Sequence, residues 1–254
     1  MRRLKTSLLA AALVAGLAGA AQAAEEAPAP PAQDWQFSGM FGTYDRESAQ
    51  RGLQVYREVC AACHALQYVA FRNLAELGFS EAEVEQIASE YSFETIDNDT
   101  GETEMRAGTP ADHFPAPFAN EAAARAANNN AYPPDLSLIV EARAGGADYI
   151  HAFLIGYEPP PEDIEMMPGL SYNRYFPGHQ VAMPDMLGGA QLQYAHEVEA
   201  TPEQMAWDVT NFLAWASEPN MEARKQTGWA VVLFLVVFAG IMYASKRKIW
   251  ADKH

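Results

Sequence analysis

Cysteine is nearly absent from this chain: two among 254 residues, three positions apart, in the stretch EVCAACHAL from Glu58 to Leu66. Two cysteines exclude a disulfide framework, and they cannot by themselves supply the four ligands of a structural zinc. Basic side chains are also scarce, with 17 Lys plus Arg against 33 Asp plus Glu. So little positive charge makes nucleic acid and anionic membrane surfaces poor partners, whereas a basic protein would be steered towards the chain. Strand-length alternation and internal repeats are both missing, which points to an all-α protein.

Long apolar runs are confined to the two ends. Arg2, Arg3 and Lys5 precede 13 apolar residues, Leu8 to Ala20, and then AQA at 21–23. That run is short of the roughly 20 residues a transmembrane helix needs, so 1–23 is expected to be a cleaved export signal. Near the other end, Gly228 to Ala244 is uncharged and apolar for 17 residues, close to the hydrocarbon thickness at about 1.5 Å per residue. Residues 227–245 are therefore expected to be a transmembrane anchor. Lys246, Arg247, Lys248 and Lys253 follow it and outnumber Arg224 and Lys225 before it. The tail, 246–254, is thus expected on the cytoplasmic side of a bacterial inner membrane, with 24–226 in the periplasm. Leaving out the signal and the tail, 10 Lys plus Arg face 32 Asp plus Glu, a formal charge of about −22.

Within 24–226 the chain reads as helices joined by long loops. A Pro/Ala linker, Glu25 to Gln36, is expected to lie extended on the surface. Val55, Val59 and Ala62, with Leu53 and Tyr56 flanking, predict an amphipathic helix over about Glu47 to Cys60 that delivers the cysteines at its end. Ser80 and Glu83 form a capping box that opens a helix to about Ser89. Tyr91 to Ala131 reads as polar and loop-like except for a short helix at Glu121 that stops at its asparagines. Between Ser80 and Asp112 ten acids stand against Arg106 alone, which suggests a surface insertion. Pro133 to Tyr157 predicts two short helices split by Gly145 and Gly146. Six prolines in Glu158 to Leu187 predict that most of it is ordered loop or mobile chain. Thr201, Pro202 and Gln204 mark the start of a last exported helix that ends before Pro219. Its Trp207, Phe212 and Trp215 are expected to pack on the first helix near Gly52 and Tyr56.

The chemistry lies in Cys60, Cys63 and His64, the spacing CxxCH. Two thiols three residues apart at a helix end can each form a thioether with one vinyl group of a single haem, which brings the next imidazole to the iron. A zinc site lacks two ligands, a thiol–disulfide motif needs no His64 and expects a βαβ unit, and a structural disulfide over two intervening residues is strained. For the sixth iron ligand, Met183 in GHQVAMPDML is best placed, while Met166, Met167, Met186 and His179 compete on position alone. His113, His151, His179 and His196 otherwise have no assigned role.

The chain resembles the cytochrome c1 family, the haem subunits of cytochrome bc1 complexes. The resemblance is carried by VYREVCAACHALQYVAFRNL (Val55 to Leu74), AARAANNNAYPPDLSLI (Ala123 to Ile139), GGADYI, YNRYFPGHQVAMPDML (Tyr172 to Leu187), FLAWASEPN and KRKIW. It implies one covalently bound haem c held by Cys60 and Cys63, with His64 and Met183 as axial ligands. It also implies a haem propionate beside Arg125 and a pocket wall at Pro133 and Pro134. Many family members have glycine where Asn130 stands; asparagine also tolerates left-handed backbone, so the turn is expected to persist. The fold implied is all-α, a class I cytochrome c-like haem domain with insertions plus one C-terminal transmembrane helix.

The function implied is electron transfer in the quinol–cytochrome c oxidoreductase complex. One electron would pass from the Rieske iron–sulfur protein, beside cytochrome b, to a basic soluble or tethered cytochrome c. Such a carrier has no substrate chemistry of its own and no catalytic residue in the usual sense. Two rivals are a free-standing membrane-anchored cytochrome c carrier of another electron-transfer chain, and a haem enzyme or gas sensor with an open sixth position. The acidity carries its own prediction: association with a basic acceptor slows as salt rises, because exposed charges more than about 8 Å apart are screened near physiological ionic strength. Stopped-flow electron transfer over a salt series checks this, and a flat rate would remove the steering.

Overall fold

The computed structural model describes residues 27–195 and 198–253, so the expected signal segment and His196 lie outside the described residues. Helix α1 is Arg46–Val55 and continues as a π-helical turn, Tyr56–Cys60; a 3-10 segment, Phe71–Leu77, and helix α2, Glu81–Ser89, follow. Strands β1 (Ser92–Ile96) and β2 (Thr103–Ala107) form an antiparallel hairpin. Helices α3 (Glu121–Ala127), α4 (Ile139–Ala142) and α5 (Gly146–Ile155) come next, then a two-residue ladder of β3 (Ser171–Tyr172) and β4 (Gln180–Val181). Helices α6 (Pro202–Ser217) and α7 (Met221–Trp250) complete the described chain.

Most expected boundaries hold for the reasons that predicted them. The Ser80 hydroxyl and the Glu83 carboxylate cap each other's backbone N–H at the start of α2. Thr201 caps α6 by accepting from Gln204 N–H at 3.1 Å, with Pro202 in the first turn. The stretch expected as loop after Tyr91 differs, because it contains the β1–β2 hairpin. Its strands are five residues long and solvated on both faces except at alternate half-buried positions of β1 and at Arg106 of β2. Without an apolar face, period-two burial leaves little trace in the residue types. Arg106, the lone cation there, pins the hairpin by donating both guanidinium arms to Asp112 at 2.6 Å.

The core forms where α6 meets α1, α4 and α5. Helix α6 is apolar around most of its circumference, with Met205, Val209, Phe212, Leu213 and Trp215 buried, so it must be surrounded. Its closest neighbour is α1, which approaches through Gly52: a Cβ there would come within 2.0 Å of the Asp208 carbonyl oxygen. The carboxylate of Asp208, fully buried, accepts from Ser48 Oγ at 2.7 Å and from two nitrogens of Arg51 at 2.8 and 3.0 Å. Phe212 packs on Tyr56 with ring centroids 5.9 Å apart, as expected. Trp207 does not join them. It stacks at 4.3 Å on Trp35, the end of the linker that was expected on the surface. Trp35 is buried: its indole N–H donates to Asp148 at 2.7 Å, and the rings of Phe37, Trp207 and, edge-on, His151 pack around it.

Helix α7 begins at Met221, seven residues before its apolar run, and its apolar side chains from Trp229 to Tyr243 are exposed. At about 1.5 Å per residue its 30 residues span roughly 45 Å. The boundary expected at 226/227 therefore falls inside one continuous helix.

Replacing Gly52 with alanine pushes a methyl group into the α6 backbone, and Gly52→Ala is expected to destabilise the protein by roughly 3 kcal/mol. Gly189→Ala, where a Cβ meets nothing within 4 Å, should change stability by no more than about 0.5 kcal/mol. Denaturant unfolding of the haem-loaded protein compares the two.

Candidate functional site

The π-helical turn at the end of α1 closes through the Tyr56 carbonyl, which accepts from Ala61 N–H at 2.7 Å. The Cys60 carbonyl then accepts from both Cys63 N–H (3.1 Å) and His64 N–H (2.9 Å). These bonds coil the chain tightly and bring both thiols and the imidazole to one wall of a cavity of ≈ 380 Å³. Tyr56, itself buried against Phe114 and Phe212, donates its hydroxyl to the His64 carbonyl at 3.1 Å. The core of α1 and α6 thereby sets the position of His64.

The opposite partner of His64 is the segment after α3. The Nδ1 of His64 lies 2.8 Å from the Pro134 carbonyl oxygen. Donation from Nδ1–H to that carbonyl fixes the tautomer and leaves Nε2 with a free lone pair, the form an imidazole uses to bind a metal. Burial pushes the His64 pKa down, which also favours the neutral ring. Leu136 N–H donates to the Ala65 carbonyl at 2.9 Å and Gln67 N–H to Asp135 at 3.1 Å, so 133–137 is strapped to the chain just past His64. Pro133 and Pro134 both line the cavity.

Met183 lines the same cavity, from the loop that follows β4. Its carbonyl accepts from the Tyr157 hydroxyl at 3.1 Å. Asn173, fully buried, anchors the loop: its amide donates to the Phe153 carbonyl at 2.8 Å, its side-chain oxygen accepts from Tyr175 N–H at 3.0 Å, and its own N–H donates to the His179 carbonyl at 2.9 Å. After Met183, Asp185 turns the chain by accepting from Leu187 and Gly188 N–H. Of the competing side chains, Met186 also lines the cavity, whereas Met166, Met167 and His179 do not. His179 is buried in a left-handed backbone conformation, φ 59°, stacked on Tyr172.

Arg125 is not among the residues lining the cavity. Its guanidinium donates to Glu121 at 2.8 Å and to the Asn130 carbonyl at 2.9 Å, and it lies over the ring of Tyr132, which does line it. Asn130 adopts φ 63°, so the turn expected there in a glycine's place is present. The sequence reading passed over Arg143, the guanidinium that does line the cavity among the described residues. A basic residue one position after α4 and before a glycine pair was the available signal.

The cavity suits a large flat apolar group with reactive edges. Val59, Leu136, Ile139, Phe153, Val209 and Leu213 supply aliphatic and aromatic walls on several elements. Cys60 and Cys63 are free thiols on one side. Burial pushes the Cys60 thiol up to about 12, which opposes the thiolate chemistry of a redox pair. Although Cys60, Cys63 and His64 are near neighbours in sequence, no group of three or more His, Cys, Asp or Glu among the described residues is arranged to hold a bare ion. Two free thiols beside an oriented imidazole and an apolar slot fit a haem bonded at its edge and ligated at its centre.

Comparison with known proteins agrees. The model of the Cytochrome C1 family matches residues 35–253. The cytochrome c1 of Rhodospirillum rubrum is 45% identical over 267 residues, covering 98% of each chain. The cytochrome b/c1 of Bradyrhizobium diazoefficiens is 49% identical over 247 residues, 89% of this chain, which spans only 36% of that longer protein. A Candida albicans protein named cytochrome b-c1 complex catalytic subunit is 47% identical over 222 residues, covering 87% of this chain and 77% of that protein.

The Asn173 anchor makes a checkable claim. Asn173→Ala leaves Tyr175 N–H without its partner and the Phe153 carbonyl with the Gly156 N–H alone, and should cost roughly 1–3 kcal/mol in denaturant unfolding. Amide exchange should rise at Asn173, Tyr175 and His179 while Leu53 and Val209 in the α1–α6 core keep their protection.

Proposed function

Because the chain belongs to the cytochrome c1 family and carries one covalently bound haem c, we propose that it is the electron-transfer subunit of a quinol–cytochrome c oxidoreductase complex. In that role it accepts one electron from a Rieske iron–sulfur protein, beside a cytochrome b, and donates it to a cytochrome c. The observation that carries the reading is the meeting of Cys60, Cys63, His64 and Met183 around one apolar cavity. The haem supplies reversible one-electron exchange when bound, and the residues around it decide how that exchange is tuned.

Cys60 and Cys63 would hold the haem by thioethers, and its iron would be bound by His64, oriented by the Pro134 carbonyl, and by Met183, whose loop is held by Tyr157. A thioether opposite an imidazole raises the reduction potential, as suits donation to a cytochrome c. With His64 and Met183 both bound to the iron, no position would be open to a substrate, and outer-sphere transfer would be the chemistry the group supplies. Pro133 and Pro134 form one wall of the pocket, and Arg125 would have to turn from the Asn130 carbonyl to meet a propionate. The aliphatic walls exclude water, and low local polarity disfavours the more highly charged oxidised centre.

The chain is a membrane-anchored protein whose single described span is α7. We place the haem domain on the periplasmic side and the tail with Lys246, Arg247 and Lys248 in the cytoplasm. The signal segment at 1–23 would direct this export. The excess of acid on the haem domain then faces the compartment in which a basic cytochrome c would approach.

The deciding variant is Met183→Leu. Loss of the thioether should open the sixth position, so that the reduced protein takes up carbon monoxide, and lower the potential by more than ~0.1 V, within the about 0.8 V range set by axial ligands. An unchanged potential with no carbon monoxide uptake would transfer the assignment to Met186. Copurification with a cytochrome b and a Rieske protein tests the place in the complex, and isolation of the chain alone from gently solubilised membranes would favour a free-standing carrier.

A further inference from the structure

Residues 37–43, Phe-Ser-Gly-Met-Phe-Gly-Thr, form an uncharged loop in a strongly acidic domain. At its tip Met40 and Phe41 are 59% and 72% exposed, unlike the buried Trp35 and Tyr44 that bracket the loop. Among the described residues Phe41 meets one aromatic neighbour, Trp229, with centroids 5.7 Å apart and planes at 83°. Trp229 is the second residue of the apolar run of α7.

The loop is bolted to that helix. Lys225 Nζ donates to the Phe37 carbonyl at 2.6 Å and to the Gly42 carbonyl at 3.2 Å, closing both ends of the loop. Glu222 accepts from Tyr44 N–H at 2.8 Å and from Arg46 at 2.9 Å, at the start of α1. The Tyr44 hydroxyl donates to the Glu218 carbonyl at 2.8 Å, and Met221 is buried in the domain core. The first turn of α7 is therefore part of the haem domain, with no flexible linker between core and span.

We propose that the 37–43 loop is a second membrane contact, which seats Met40 and Phe41 in the bilayer interface beside the span. Depth follows from the helix. Lys225 must stay at the level of the headgroups, and Trp229, four residues on, lies about 6 Å further along the axis, at the boundary with the acyl chains where aromatic rings partition best. Phe41, edge-on to Trp229, lies at that same depth. The absence of charge over 37–43 is what such a position demands, and continuity with the apolar surface of α7 names lipid as the occupant. A span alone leaves a domain free to rotate about the membrane normal and to rock on its neck. The rigid neck and a loop in the interface restrict rocking and so hold the haem cavity at a constant height above the membrane, where its redox partners must reach it.

The native cysteines are consumed by the haem, so a single added cysteine is labelled uniquely. Phe41→Cys and Met40→Cys, each nitroxide-labelled in the full-length haem-loaded protein in lipid nanodiscs, are compared with Thr100→Cys at the tip of the β1–β2 hairpin. The proposal expects collisions with a water-soluble nickel chelate to fall ~5-fold or more at 40 and 41 relative to 100, while collisions with oxygen stay level or rise. Equal chelate access at all three positions would overturn it. Protection that arises only when the cytochrome b partner is present would overturn it too, by giving the loop a protein occupant instead of lipid.

Discussion

The rest of the molecule depends on the contact between α1 and α6. Gly52 lets the two backbones meet, and the carboxylate of Asp208, which would otherwise be a costly buried charge, is shared by Ser48 and Arg51 from the same face of α1. The pair is thus held by shape and by a satisfied charge together. One turn further along, Tyr56 uses the same face to pack on Phe212 and reaches His64 with its hydroxyl. The position of the imidazole is therefore a consequence of helix packing more than ten residues away.

Everything on the distal side is built differently. No helix delivers Met183; a proline-rich loop does, and beyond the two-residue β3–β4 ladder it is held by side-chain bonds from Asn173, Tyr157 and Asp185. Such a loop can be adjusted without disturbing the core. The two halves of the site accordingly divide the work: a rigid wall that fixes the covalent attachment, and a pinned strap whose contacts can set the ligand's distance and the access of water.

The anchor extends the same logic to the membrane. Glu222 and Lys225 look like ordinary residues flanking a span, yet each is tied to the segment between Phe37 and Arg46. Because α7 begins inside the domain's packing, the span and the haem site share one rigid frame. An electron carrier that works between partners of defined position benefits from that, since transfer depends steeply on distance.

Much of this was legible in the sequence. CxxCH needs only local spacing, as do the capping box at Ser80, the N-cap at Thr201 and the apolar run from Gly228, and the left-handed turn at Asn130 followed from what asparagine tolerates. Local signals of this kind act within a few residues, so they survive without knowledge of the fold. The resemblance to a family added Met183, which position alone left in competition with Met186. What only tertiary structure decided involves residues far apart in the chain. Trp207 pairs with Trp35 across more than 170 positions, Arg125 turns to Asn130 and away from the cavity while Arg143 lines it, and a solvated hairpin forms with no apolar face to announce it. Pairings of that range are set by how helices pack in three dimensions, which no window of sequence contains.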